Sequence, residues 1–218
     1  MDFEAARVAM VKSQMRPNRL TDDRIAEAVL SIPRERFLPA NLADVAYVDE
    51  DVPLGKGRYL MEPMVLARLL QSADISAGDT VLHVGCGTGY ASAVMARLAG
   101  MVVALDSDPD LVARATELLA DLEVANAAVV EGDMHTGLAD QGPYDLILVE
   151  GAVAEVPPAL IDQIAEGGRL LAVVRPAVSG IGVATCYMRE HGSVGHRPLF
   201  DAATPMLPGF EPRKSFTF

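Results

Sequence analysis

The sequence predicts an α/β chain: a doubly wound, mostly parallel sheet of seven strands with an N-terminal helical extension. Three observations predict it. From Asp79 onward, short apolar runs alternate with helical patterns, the order that builds a parallel sheet. Two further strand-like runs, 181–188 and 194–200, read as a closing antiparallel pair across residues 190–193. Finally, Val81-Leu82-His83-Val84-Gly85-Cys86-Gly87-Thr88-Gly89-Tyr90 reads as a buried strand, a glycine-packed turn and the start of a helix.

The elements follow in order. Residues 3–15 place Val8, Val11 and Met15 at helical spacing, and Pro17 ends the pattern. Thr21 is the expected N-cap of a second helix with Ile25, Val29 and Ile32 on one face. Pro33, Pro39 and Pro53 punctuate a looser stretch up to Gly55 and Gly57. A third helix opens at Glu62-Pro63, where proline loses nothing by lacking an N–H, and runs to about Ala73. Strands are expected at 80–85, 101–106, 127–131, 144–150 and 169–174. Helices are expected at 89–99, from Asp108-Pro109 to about Leu122, and at 157–166 before Gly167-Gly168. The chain thus divides into a helical cap (1–60), a main domain (61–205) and an irregular tail (206–218).

Half of the residues are apolar, enough for a sizeable core, and with 5% aromatics and no Trp that core should be aliphatic. The formal charge of −12, with no stripe of Lys and Arg, argues against nucleic acid as a partner. No run approaches the ~20 apolar residues of a membrane span, and Met1-Asp2-Phe3-Glu4 lacks the start of a signal peptide. Cys86 and Cys186 form neither a disulfide framework nor a metal spacing, and His83, His135, His191 and His196 are scattered. The expectation is a cytoplasmic protein without a metal.

The glycine turn binds a nucleotide-like cofactor. A dinucleotide turn wants G-x-G-x-x-G, and here its last position is Tyr90. No phosphate-binding G-x-x-x-x-G-K-[ST] exists. The spacing of Gly85, Gly87 and Gly89 fits S-adenosylmethionine instead. Asp106 ends the second strand, where an acid accepts hydrogen bonds from ribose hydroxyls, and Ser107 follows it. Asp133, with Met134, follows the third strand, where a carboxylate accepts from an adenine amino group. Either acid alone also reads as a turn residue. Glu150 ends the fourth strand near the expected methyl group, or simply closes that strand. Cys86 belongs to the cofactor-binding turn and reads as a small packing residue there rather than a nucleophile, and Tyr90 as either a cover for the cofactor or a helix start.

Beyond the turn, the chain resembles the protein-L-isoaspartate O-methyltransferase family over about residues 7–175. Met10-Val11-Lys12-Ser13-Gln14 with Arg16-Pro17 resembles the family's opening helix, and Ile32-Pro33-Arg34-Glu35-Arg36-Phe37-Leu38-Pro39 is similar to its V-P-R-E-x-F-V-P. Ala46-Tyr47-Val48-Asp49 and Val52-Pro53-Leu54-Gly55 resemble A-Y-x-D and L-P-I-G. The resemblance implies the methyltransferase sheet, S-adenosylmethionine, and methyl ester formation on isoaspartyl carboxylates of damaged proteins or peptides.

The family's active loop, G-Q-T-I-S-Q-P, corresponds to Gly57-Arg58-Tyr59-Leu60-Met61-Glu62-Pro63. Met61 stands at the active-site serine and offers only a weak thioether acceptor. Tyr59 replaces threonine. Glu62 replaces glutamine, and its charge repels an anionic acceptor unless Arg58 or the sulfonium compensates. His83 stands where the family has an acid, and reads as a satisfied core histidine or as a weakened cofactor site. A different methyl acceptor, or cofactor binding without isoaspartyl transfer, are the other readings of these changes.

Overall fold

The computed structural model describes residues 1–177 and 180–212. Seven strands form the main sheet: β3 (Thr80–Val84), β4 (Met101–Asp106), β5 (Ala127–Glu131), β6 (Tyr144–Val153), β7 (Ile164–Val174), β8 (Gly182–Glu190) and β9 (Ser193–Ala202). Their order is β5-β4-β3-β6-β7-β8-β9. The first five are parallel and the last two antiparallel, as the alternation of elements predicts. β3 lies between β4 and β6, so the strand order reverses there. Open parallel sheets bind ligands at such a switch point, beyond the C-terminal strand ends.

The sheet is central because its middle strands are apolar on both faces. Val81, Leu82 and Val84 are fully buried, as are Leu146, Ile147 and Leu148 opposite them. Helices α1 (Phe3–Met10), α2 (Asp23–Ser31), α3 (Pro63–Ala73) and α4 (Tyr90–Ala96) share one core. Helix α5 (Pro109–Asp121) begins as its sequence predicts. The Asp108 carboxylate accepts from the N–H groups of Asp110 and Leu111, and Pro109 takes the first helical position.

Four expectations need correction. The first helix is α-helical only to Met10, and residues Val11–Met15 continue as a wider π turn. The second helix is capped by Asp22, whose carboxylate reaches Arg24 N–H, rather than by Thr21. The helix expected at 157–166 is the short α6 (Pro158–Asp162). The chain leaves it at Gln163 because Gln163 C=O accepts from Tyr144 N–H, which starts β7 early; Gly167 then lies in a bulge at φ +78°. The loose stretch before α3 hides an antiparallel hairpin, β1 (Val52–Gly55) and β2 (Arg58–Leu60), with Lys56 and Gly57 at its tip at positive φ. Among the described residues, no helix is long and apolar enough to cross a membrane.

Candidate cofactor and acceptor cleft

The strand ends bring the predicted residues to one crevice. Gly85 follows β3, Asp106 ends β4, Asp133 follows β5, and Glu150 and Gly151 lie in β6. The glycines adopt the left-handed backbone that the turn requires: φ is +79° at Gly85, +55° at Gly87 and +91° at Gly89. The turn spends its N–H groups on the protein, however. Those of Gly85 and Cys86 donate to Leu105 C=O, that of Gly89 to Cys86 C=O, and that of Gly87 to Asp106 Oδ2 at 2.8 Å. The turn's N–H groups are therefore paired within the turn and with the end of β4. Cys86 is buried, and burial pushes its thiol well above the ordinary range, so it is a packing residue.

Asp106 is fully buried, and its main partner is Arg58. Nη1 donates to Oδ1 at 2.8 Å and Nη2 to Oδ2 at 2.7 Å, a bidentate fork. Arg58 Nη1 also lies 4.0 Å from the sulfur of buried Met134. The sequence raises Arg58 only as a counter-charge for Glu62, yet the structure pairs it with an acid 48 residues away. One signal was present: Arg58 stands at the glutamine of the family loop.

Asp133 folds its carboxylate onto its own turn, accepting from His135 N–H at 2.9 Å, and Ser107 is exposed. His83 Nδ1 lies 2.7 Å from Ser92 Oγ. Its Nε2 lies 2.9 Å from Glu150 Oε2, in a direction that misses hydrogen-bond geometry. A carboxylate absent from position 83 is thus supplied against it by the neighbouring strand. Tyr90 starts α4 with its ring turned into the core, 5.4 Å from Phe37 and 4.9 Å from the Arg34 guanidinium.

The loop at 57–63 is held from behind by Arg34, a fully buried arginine. Its Nε donates to Ala46 C=O and its Nη2 to Met61 C=O, both at 2.7 Å. Burial lowers its pKa from the ordinary value. Met61 and Leu60 are buried, while Tyr59 is exposed. Glu62 lies among Asp49, Glu50 and Asp51. Burial first, then these three charges, push its carboxyl up to about 7. Its N–H donates to Asp51 Oδ1 at 2.9 Å. Arg34 Nη1, His83 Nε2 and Tyr90 Oη make no well-aligned hydrogen bond, although Arg34 faces Tyr90 and His83 Nε2 faces Glu150.

A strap from the C-terminal region covers the crevice. Pro205 C=O accepts from Ala152 N–H, and Leu207 N–H donates to Ala152 C=O, both at 2.8 Å. His135 stacks on Phe210 at 4.0 Å. The expected irregular tail therefore reaches the site as far as it is described; residues 213–218 lie outside the described residues. The cavity bounded by Arg58, Met61, Glu150 and Leu207 holds about 10 Å³, room for about one water.

The profile of the family described as Protein-L-isoaspartate(D-aspartate) O-methyltransferase matches residues 6–197. A protein-L-isoaspartate O-methyltransferase of Koribacter versatilis is 41% identical over 169 residues, 78% of this chain and 76% of its own. One from Methanoculleus marisnigri is 41% identical over 170 residues, 78% and 77% of the two chains. Among solved structures, a protein-L-isoaspartate O-methyltransferase aligns with a TM-score of 0.80 at 26% identity, covering 96% of this chain and 67% of that one. A putative one from Plasmodium falciparum, in complex with S-adenosyl-L-homocysteine, shares the fold at a TM-score of 0.79 and 20% identity, over 95% and 98%.

Proposed function

The chain belongs to the protein-L-isoaspartate(D-aspartate) O-methyltransferase family, and we propose that it methylates isoaspartyl carboxylates of damaged proteins or peptides, with S-adenosylmethionine as methyl donor. One observation carries this reading beyond the matches. The family-like segment 32–39 supplies Arg34, which fixes the carbonyl of Met61 and so holds the acceptor loop against the crevice at the strand ends. Thr88 Oγ1 donates to Phe37 C=O at 2.7 Å and ties the same segment to the glycine turn.

The cofactor, when bound, supplies a methyl group on a positive sulfonium. An isoaspartyl carboxylate is already ionised near neutral pH and needs no base. What remains for the chain is placement and exclusion of water. The donor set fits the group: a carboxylate at the ribose position and a glycine turn beside it. The space does not, because Arg58 and Leu207 fill it.

The test is transfer of radiolabelled methyl from S-adenosylmethionine to an isoaspartyl peptide. Base-labile label above that of the matching aspartyl peptide is expected, and its absence at saturating cofactor would overturn the reading. A second reading, transfer to a less anionic acceptor, draws on the acids around Glu62. Label on other proteins or small molecules, but not on the isoaspartyl peptide, selects it. Binding of S-adenosyl-L-homocysteine without transfer to any acceptor leaves a cofactor-binding homologue.

A further inference from the structure

The cleft is closed by the chain itself, from two sides. From the hairpin, Arg58 takes one direct bond to each oxygen of Asp106. Gly87 N–H takes a second place on Oδ2, and Asp108 N–H, at 3.1 Å, a second place on Oδ1. A carboxylate offers about four lone-pair positions, so none is left for a pair of ribose hydroxyls. The hairpin is seated as well as paired. A Cβ on Gly87 would come within 3.1 Å of Leu54, and Lys56 at the tip lies 2.8 Å from both Asp108 and Asp110. From the strap, Leu207 lies on the turn: a Cβ on Gly85 would meet its side chain at 3.2 Å, and one on Gly151 at 2.8 Å. The remaining 10 Å³ compares with roughly 300 Å³ or more for a cofactor-sized ligand.

Burial decides what the Arg58–Asp106 contact means. Asp106 is 0% exposed and Arg58 6%, so the pair is screened little by solvent and is made with ideal bidentate geometry. A carboxylate that must receive hydroxyl groups has been given a fixed internal cation instead.

We propose that Arg58 is an internal competitor for the cofactor site: its guanidinium holds the ribose-binding carboxylate of Asp106, and S-adenosylmethionine binds only once that pair opens. This rests on the cleft being the cofactor site. The apparent affinity is then the intrinsic affinity reduced by the open fraction of the chain. Removing the guanidinium makes every molecule open with respect to Asp106.

The test is calorimetric titration of the full chain with S-adenosyl-L-homocysteine, for the wild type, Arg58→Met and Arg58→Lys. Arg58→Met keeps an unbranched side chain but no charge, and is expected to bind roughly 10- to 100-fold more tightly than wild type, the gain for a chain closed 90–99% of the time. Arg58→Lys keeps the charge but not the fork, and is expected to fall between the two. It also guards against a folding defect in Arg58→Met, which circular dichroism would reveal. Folded variants that bind no more tightly than wild type overturn the proposal and leave the cofactor site standing. If no form binds the ligand, the cofactor reading of the cleft falls and the competition with it.

Discussion

The glycine turn after β3 and the loop at 57–63 face each other across one cleft, and they differ from the family in opposite ways. The turn keeps its three glycines and the acid at Asp106, while the loop exchanges the polar residues of G-Q-T-I-S-Q-P for Arg58, Tyr59, Met61 and Glu62. Yet the turn is the half whose chemistry is most altered. Arg58 crosses the cleft and takes both Asp106 oxygens, whereas the loop remains fixed from behind by Arg34. A binding site can be rewritten from the opposite wall even where its glycines and its acid are kept.

Arg34→Met breaks the comparison from the loop side and should have the largest effect. It leaves the buried carbonyls of Ala46 and Met61 without their charged donors. Each hydrogen bond to a charged group contributes about 1.5–3 kcal/mol, so a loss of about 3–6 kcal/mol is expected in urea unfolding. A loss under about 1 kcal/mol would mean that the loop is held by its own packing and not by Arg34.

Met61→Ser sharpens the comparison by restoring a hydroxyl on the loop while leaving the turn untouched. One hydrogen bond to a charged acceptor, about 1.5 kcal/mol, corresponds to a rise of about tenfold in kcat/KM for an isoaspartyl peptide. Met61 is buried, so the smaller polar side chain should also lower stability by about 1–3 kcal/mol. An unchanged kcat/KM in a folded variant would place the acceptor away from Met61. The affinity for S-adenosyl-L-homocysteine should stay as it was.

What the sequence made legible follows from range. The sheet, the cap at Asp108 and the breaks at Pro17 and Pro63 are local signals, and the structure agrees with them. The β1–β2 hairpin escapes the sequence reading because its strands are only four and three residues long, and Pro53, Gly55 and the turn residue Gly57 read as punctuation. The early start of β7 depends on pairing of Ile164 with Tyr144, which no window around Ile164 contains. The same holds for the site. Gly85, Gly87, Gly89 and Asp106 were found by spacing, but the partner of Asp106 lies on a hairpin that periodicity does not reveal. His83 stands out in the sequence as a departure from the family, but nothing in the sequence links it to Glu150, which the neighbouring strand sets against it.

The smallest expected effect belongs to Glu62, and it tests whether the loop's charge opposes an anionic acceptor. Its carboxyl titrates at about 7 in the folded chain, against an ordinary value of 4.5, because it is partly buried among Asp49, Glu50 and Asp51. Between these two values the folded chain holds a proton that the unfolded chain has released. The linkage relation then gives stability that falls as pH rises from about 4.5 to about 7 and levels off above. Asp51, raised by its own burial, adds to the fall in the same sense. Glu62→Gln removes the Glu62 part only, so its urea midpoint should decline less than that of the wild type between pH 5 and roughly 7.5. The same ionisation adds a negative charge to the loop, so KM for an isoaspartyl peptide should rise across neutral pH in the wild type and stay flatter in the variant. Parallel pH profiles for the two proteins would show that Glu62 faces solvent rather than the acceptor, and that the loop's polarity is set by Met61 and Tyr59 instead.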